Sequence, residues 1–219
     1  MPKQVDYEER RRRIAEAVCT LIARSGMEAV SLRDVAAQAE VSMGAVQRCF
    51  RTKEDMLLFA LEHISHHVTE RAGARIAAAS APRAAATLLT HTLTEIALLD
   101  EESATQARVW LAFATRAPAG GKLATVLRDT YAKLHDLVAW LLRYGQSTGE
   151  IRPHLDPDHE AQTLLALADG LTVHVLTGHH SPDAALTALR RGIDYVLEDP
   201  AGPRPRATRP RAGTGPLMT

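Results

Sequence analysis

The sequence predicts an all-α protein with a small helix-turn-helix unit at the N-terminus and a larger helical domain after it. Three observations carry this. Hydrophobic residues make up 46% of the chain and aromatics only 4%. Alanine and leucine dominate, and both lose little freedom in a helix. Apolar residues recur at three- and four-residue spacing, and no alternating run reads as a half-buried strand. Helix start signals also recur, at Ser31, Ser42, Thr52, Asp156-Pro157 and Ser181-Pro182. Each offers a side-chain acceptor to the unpaired N–H groups of a first turn.

Taken in order, the first helix is expected over about 7–24, with Ile14, Val18, Leu21 and Ile22 as its buried stripe and Gly26 ending it. Ser31 caps a second helix whose apolar face is Leu32, Val35, Ala36 and Ala39. Glu40-Val41 makes the bend, and Ser42 caps a third short helix with Ala45, Val46 and Phe50 on its apolar side. Two short helices with a tight joint are the shape that places the second one in a DNA major groove. Thr52, with Asp55 three residues on, is an acidic capping box for a long helix over about 53–80. Pro82 is expected to start the next helix, with Leu88, Leu89, Leu93, Ile96 and Leu99 inward. Asp100 or Ser103 then caps one running to about 115. Pro118-Ala-Gly-Gly breaks the chain, a long helix over 122–144 follows, and 145–153 connects. Asp156-Pro157 and Ser181-Pro182 open two last helices, over 157–176 and 182–197. Residues 200–219, rich in Pro, Gly, Arg and Thr, are expected to be a disordered basic tail.

Charge and motifs exclude several classes. Net charge is zero, against indiscriminate nucleic-acid binding. Residues 1–60 are nearly balanced, 61–199 are acidic, and the last twenty hold four arginines and no acid. DNA contact would therefore rest on locally placed cations: Arg10 to Arg13, Arg33, Arg48, Arg51 and Lys53. No stretch is long and apolar enough to span a membrane, and no signal-peptide core is present. Cys19 and Cys49 make no disulfide framework, so a reduced, cytoplasmic protein is expected. A Gly-rich phosphate loop, H-E-x-x-H, G-x-S-x-G and paired Glu-x-x-His motifs are all missing, which argues against an enzyme. No cofactor is implied.

The stretch from Arg13 to Leu57 resembles the N-terminal DNA-binding domain of TetR/AcrR-type transcriptional repressors. The matching positions are Ile14, Ala17, Gly26, Ser31, Val35-Ala36, Val41-Ser42, Gly44, Phe50, Lys53-Glu54 and Leu57. This covers about the first quarter of the chain. The family most often has Tyr where this chain has Gln47, and often His where it has Cys49. The resemblance implies a DNA-binding domain over 1–52 and a C-terminal ligand-binding and dimerisation domain over 53–199, with the 53–80 helix connecting them. It also implies a double-stranded DNA operator, a small-molecule effector and a homodimer.

Candidate residues follow. The N-terminal ends of the second, third and fourth helices point at phosphates in this geometry. That makes Ser31, Ser42 and Thr52 contact candidates, although each serves equally as a plain cap. Lys53 matches the family lysine that contacts phosphate, and Arg33 and Arg48 are further cations. Base reading falls to Met43, Ala45, Gln47 and Arg48: Gln pairs with adenine, Arg with guanine, and Met and Ala touch thymine methyls. Effector binding is expected from Trp110, Phe113, Tyr131 and Trp140, with polarity from His91, Glu95, His135, Asp136 and Asp169. An aromatic at helical spacing is also ordinary core. The resemblance implies a dimer face at Leu164, Leu167, Leu171, His174, Leu186, Leu189 and Ile193.

Two sharper readings rank below these. His63, His66 and His67, and separately His179 and His180, resemble metal-binding faces, but no Cys or carboxylate lies close in sequence to finish either set, so both read as solvated polar faces. Cys49, among arginines, would be a redox sensor if its thiol pKa were lowered. The alternative to a ligand-released repressor is a helical protein-interaction module that has lost DNA binding.

Overall fold

Ser31, Ser42 and Thr52 each open a helix in the computed structural model, which describes residues 2–116 and 120–197 and side chains from residue 7 onward. Each side-chain oxygen accepts the N–H three residues on: Asp34 at 3.2 Å, Ala45 at 3.2 Å and Asp55 at 3.0 Å. These caps frame α2 (Leu32–Gln38), α3 (Met43–Cys49) and α4 (Lys53–Ala78), preceded by α1 (Pro2–Ser25). The first helix starts earlier than expected, at Pro2, a residue suited to a first helical position. The bend between α2 and α3 is a Schellman-type reversal. Val41 N–H donates to Ala36 at 2.9 Å and Glu40 N–H to Ala37 at 3.2 Å. Glu40 takes the left-handed conformation, φ 54°, where glycine would be unstrained.

The remaining elements are α5 (Ala85–Ile96), a 3₁₀ turn (Glu101–Ser103), α6 (Ala104–Arg116), α7 (Gly121–Thr148), α8 (Pro157–Leu176) and α9 (Pro182–Val196). Asp100 caps the 3₁₀ turn through Ser103 N–H at 2.8 Å. Asp156 and Ser181 cap α8 and α9 as expected, each with Pro in the first turn.

Two expectations are corrected. α5 begins at Ala85, not Pro82, because its N-terminus is capped from afar: the Glu150 carboxylate accepts Ala85 N–H at 3.0 Å and Ala86 N–H at 3.2 Å. α7 runs on through Gly145 to Thr148. Gly145 is there for close packing, since a Cβ on it would lie 2.5 Å from Ile151 Cδ1. Gly149, at φ 76°, is the residue that ends the helix. The Pro118 break and the 200–219 tail fall outside the described residues.

The apolar faces build two cores. The first joins Ile14, Val18, Val35, Val46, Phe50, Met56 and Leu61 to Val109, Phe113 and Leu127. α1 packs on α6 as well as on α4, so the N-terminal unit shares this core with the larger domain across the 52/53 border expected from sequence. The second joins Leu89, Leu93, Val138, Leu142, Leu164, Leu171, Leu189 and Ile193 from α5 and α7 to α9. Fully burying one such side chain favours folding by about 1.5–3 kcal/mol, so these cores dominate the stability.

Candidate DNA interface and ligand cavity

On α3 the exposed side chains are Ser42 at its cap, Met43, Gln47 and Arg48. Met43 is 48% exposed. Ala45 is corrected: it is 7% exposed and packs inward, because at 100° per residue it falls beside Val46 and Cys49 rather than with Met43 and Gln47. Arg33, Thr52 and Lys53 are exposed beside the ends of α2 and α4, as is Ser31.

Two of the proposed cations serve the fold instead. Arg13 donates to the carbonyl of Ala39 at 3.0 Å, closing the end of α2. Arg11 lies over the Phe59 ring at 4.0 Å and the Phe50 ring at 5.2 Å, a cation–π clamp on the first core. Asp55 accepts from Lys122 Nζ at 3.1 Å. That contact and the Thr52 hydroxyl hold its carboxyl below the usual range. The bond ties the start of α7 to the start of α4. Cys49 is not an activated thiol: burial raises its pKa, outweighing the nearby arginines.

A cavity of about 610 Å³ lies among α4, α6, α7 and α8. α4 supplies Leu61, Ile64, Ser65, Val68 and Thr69, α6 supplies Trp110, α7 supplies Val126, Tyr131 and Leu134, and α8 supplies Leu165 and Asp169. The Trp110 and Tyr131 rings meet edge to face, centroids 5.5 Å apart. The Tyr131 hydroxyl donates to Asp169 at 2.8 Å. Burial is the main force raising the Asp169 carboxyl pKa, against hydrogen bonds from Tyr131 and Trp110. Burial and the Asp169 charge both raise the Tyr131 phenol, so it stays a donor.

The other ligand candidates lie elsewhere. Phe113 has no exposed surface and sits in the first core. Trp140 is 57% exposed and stacks on Tyr144 at 5.8 Å, away from the cavity. Glu95 is buried and pairs with Arg71 at 2.8 Å and Arg75 at 2.6 Å, so its charge is spent on holding α5 to α4. His91 does not line the cavity. His135 meets the Asp158 carbonyl at 3.1 Å and Asp136 is exposed.

A family profile described as "BetI-type transcriptional repressor, C-terminal" matches residues 85–198, more than half of the chain. The chain belongs to the TetR family of transcriptional regulators. The tetR-family profile of bacterial regulatory proteins matches residues 14–59, over the helix-turn-helix. Among TetR-type relatives, the regulator PksA of Bacillus subtilis is 32% identical over 80% of this chain and 83% of its own length. The regulator BetI of Brucella suis is 26% identical over 90% and 94%. A solved regulator of Saccharomonospora viridis, in complex with choline, superposes with TM-score 0.76 at 31% identity, covering 88% of this chain and all of that one. A Rhodococcus regulator superposes with TM-score 0.70 at 30% identity, over 85% and 95%. These relatives are regulators and not enzymes, and no described helix is long and apolar enough to cross a membrane.

In this TetR chain the expected dimer face needs correction. Leu164, Leu171, Leu189 and Ile193 are at most 4% exposed and belong to the second core. Leu167 and Leu186 are half-buried and His174 is exposed. Val173 and Tyr195, 37% and 56% exposed on α8 and α9, were not singled out from sequence. Both helices carry apolar residues on more than one side, so periodicity alone did not say which side faces out.

Proposed function

We propose that this chain is a homodimeric repressor that binds an inverted-repeat operator in double-stranded DNA and releases it when a small molecule fills the cavity. The observation that carries the reading is the placement of α4. Its exposed N-terminus presents Thr52 and Lys53 beside α3, and Leu61 to Thr69 of the same helix wall the cavity. Lys53 and Ser65, at the middle of the cavity stretch, stand about 18 Å apart along the axis. One rigid element therefore links both sites, and a ligand that favours one tilt of α4 shifts the population able to bind DNA.

Met43, Gln47 and Arg48 read bases in this scheme. Ser31, Arg33, Ser42, Thr52 and Lys53 hold phosphates, the hydroxyls through the helix ends that they cap. One such unit reads too few base pairs for useful specificity, so two copies act together. The partner subunit packs on the outer side of α8 and α9, at Leu167, Val173, Leu186 and Tyr195. The protein acts in the cytoplasm, where its operator is.

The effector is a small organic cation. The cavity is mostly apolar, its Trp110–Tyr131 pair offers electron-rich ring surface, and Asp169 supplies one desolvated carboxylate. The choline held by the Saccharomonospora relative supports this class. The test uses the Trp140→Phe variant, which leaves Trp110 as the sole indole, titrated with choline by fluorescence and by release from operator DNA. Saturable quenching with release, both lost in Asp169→Ala, supports the reading. Release by choline unchanged in Asp169→Ala contradicts it.

A further inference from the structure

We propose that His174, His179 and His180 form a binding site for a divalent transition ion of the zinc class where α8 turns into α9. The inference stands apart from the DNA-binding reading. Sequence spacing shows only the neighbouring pair His179-His180, and the fold adds the third ligand. The chain reverses through Gly178, at φ 75°. The N–H groups of His179 and His180 both donate to the carbonyl of His174, at 2.9 and 3.1 Å. This clamp gathers the rings: the centroids lie 4.9 Å apart for 174–179, 5.1 Å for 174–180 and 4.7 Å for 179–180. One nitrogen from each ring lies within 4.8 Å of the others.

In a tetrahedral zinc site with metal–nitrogen bonds of about 2.0–2.1 Å, ligand nitrogens stand roughly 3.3 Å apart. The three nitrogens therefore need to close by no more than about 1.5 Å. His174 and His179 are exposed and His180 half-buried, so rotation of the side chains achieves this without disturbing either core. Three imidazoles suit zinc, nickel or copper and not magnesium or calcium. The C-terminal end of α8 favours a cation at this place, and the fourth coordination position is left for water. Among the described residues no other three His, Cys, Asp or Glu side chains converge in this way. His63 and His67 do meet, at 4.4 Å, but His66 turns away to pair with Glu70 at 3.2 Å.

The test is zinc binding by the chelator-stripped full-length protein, measured against a chromophoric competitor, with cobalt absorption as a second readout of coordination. The expected result is one ion per chain with a tetrahedral cobalt spectrum. Affinity should fall at least 100-fold in His174→Gln and in the double variant H179Q/H180Q, and stay at the parent value in H63Q/H67Q. Circular dichroism and oligomeric state are checked for each variant. If His174→Gln alters the dimer, the double variant carries the test. Unchanged affinity in the double variant, loss in H63Q/H67Q, or no binding by the parent at micromolar zinc overturns the assignment.

Discussion

Tyr131 on α7 donates its hydroxyl proton to Asp169 on α8 across 2.8 Å, inside a cavity whose other walls are largely apolar. The bond orients a carboxylate that burial disfavours. Because the folded-state pKa of Asp169 is raised, the folded protein holds this proton more tightly than the unfolded chain. Stability from this group is greatest at low pH and falls as pH rises from the ordinary carboxylate value through the raised one. Asp169→Asn removes that dependence and keeps an acceptor for Tyr131. Thermal melts should show the variant more stable than the parent at pH 7, with a flatter pH profile across the acidic range. It should also no longer respond to a cationic effector.

Arg48 and Lys53 separate base reading from phosphate contact. Arg48→Ala should weaken operator binding by about 1–3 kcal/mol and relax the preference at one base pair in each half-site. Lys53→Ala should weaken all sequences alike and lower the slope of log K against log salt by about 0.9 per subunit. Gel shifts over a salt series on operator and scrambled DNA distinguish the two patterns.

Glu40 sits in the left-handed region at the joint of the helix-turn-helix. An L-residue there is strained by about 1–2 kcal/mol, part of which a more flexible glycine returns as unfolded-state entropy. Glu40→Gly should stabilise the protein by about 1 kcal/mol in chemical denaturation and keep the Val41–Ala36 bond that shapes the turn.

Phe113 and Trp110 stand one helical turn apart on α6 and do different work. Phe113→Ala opens a hole in the first core and should cost about 3–5 kcal/mol of stability, with effector affinity intact in the folded fraction. Trp110→Ala should cost less stability and abolish the effector response. Denaturation curves paired with choline titrations separate the two.

The parts legible in the sequence are those in which cause and effect lie a few residues apart. Ser31, Ser42 and Thr52 cap helices through N–H groups three residues away, so the helix-turn-helix could be read directly. The start of α5 could not, because its capping carboxylate, Glu150, is 65 residues away from Ala85. Glu95 read as cavity polarity because the partners that neutralise it, Arg71 and Arg75, come from another helix. In sequence Ala45 fits both the apolar side of α3 and its reading side, and burial decides for the first. Leu164, Leu171, Leu189 and Ile193 were apolar at the right spacing, but spacing does not separate a core from a partner. Trp110, Tyr131 and Asp169 were singled out from sequence, and the structure brings them together at one cavity. Only the third dimension joined His174 to His179 and His180.

In the proposed complex Met43, Gln47 and Arg48 of two subunits read one operator. The most direct test is selection of genomic DNA fragments by the purified dimer, followed by gel shift and footprinting on the best fragment. The expected result is an enriched inverted repeat protected by one dimer, with affinity that falls steeply with salt and protection lost in Arg48→Ala. No enrichment at low salt from a folded dimer would contradict it and point to a helical module that binds proteins.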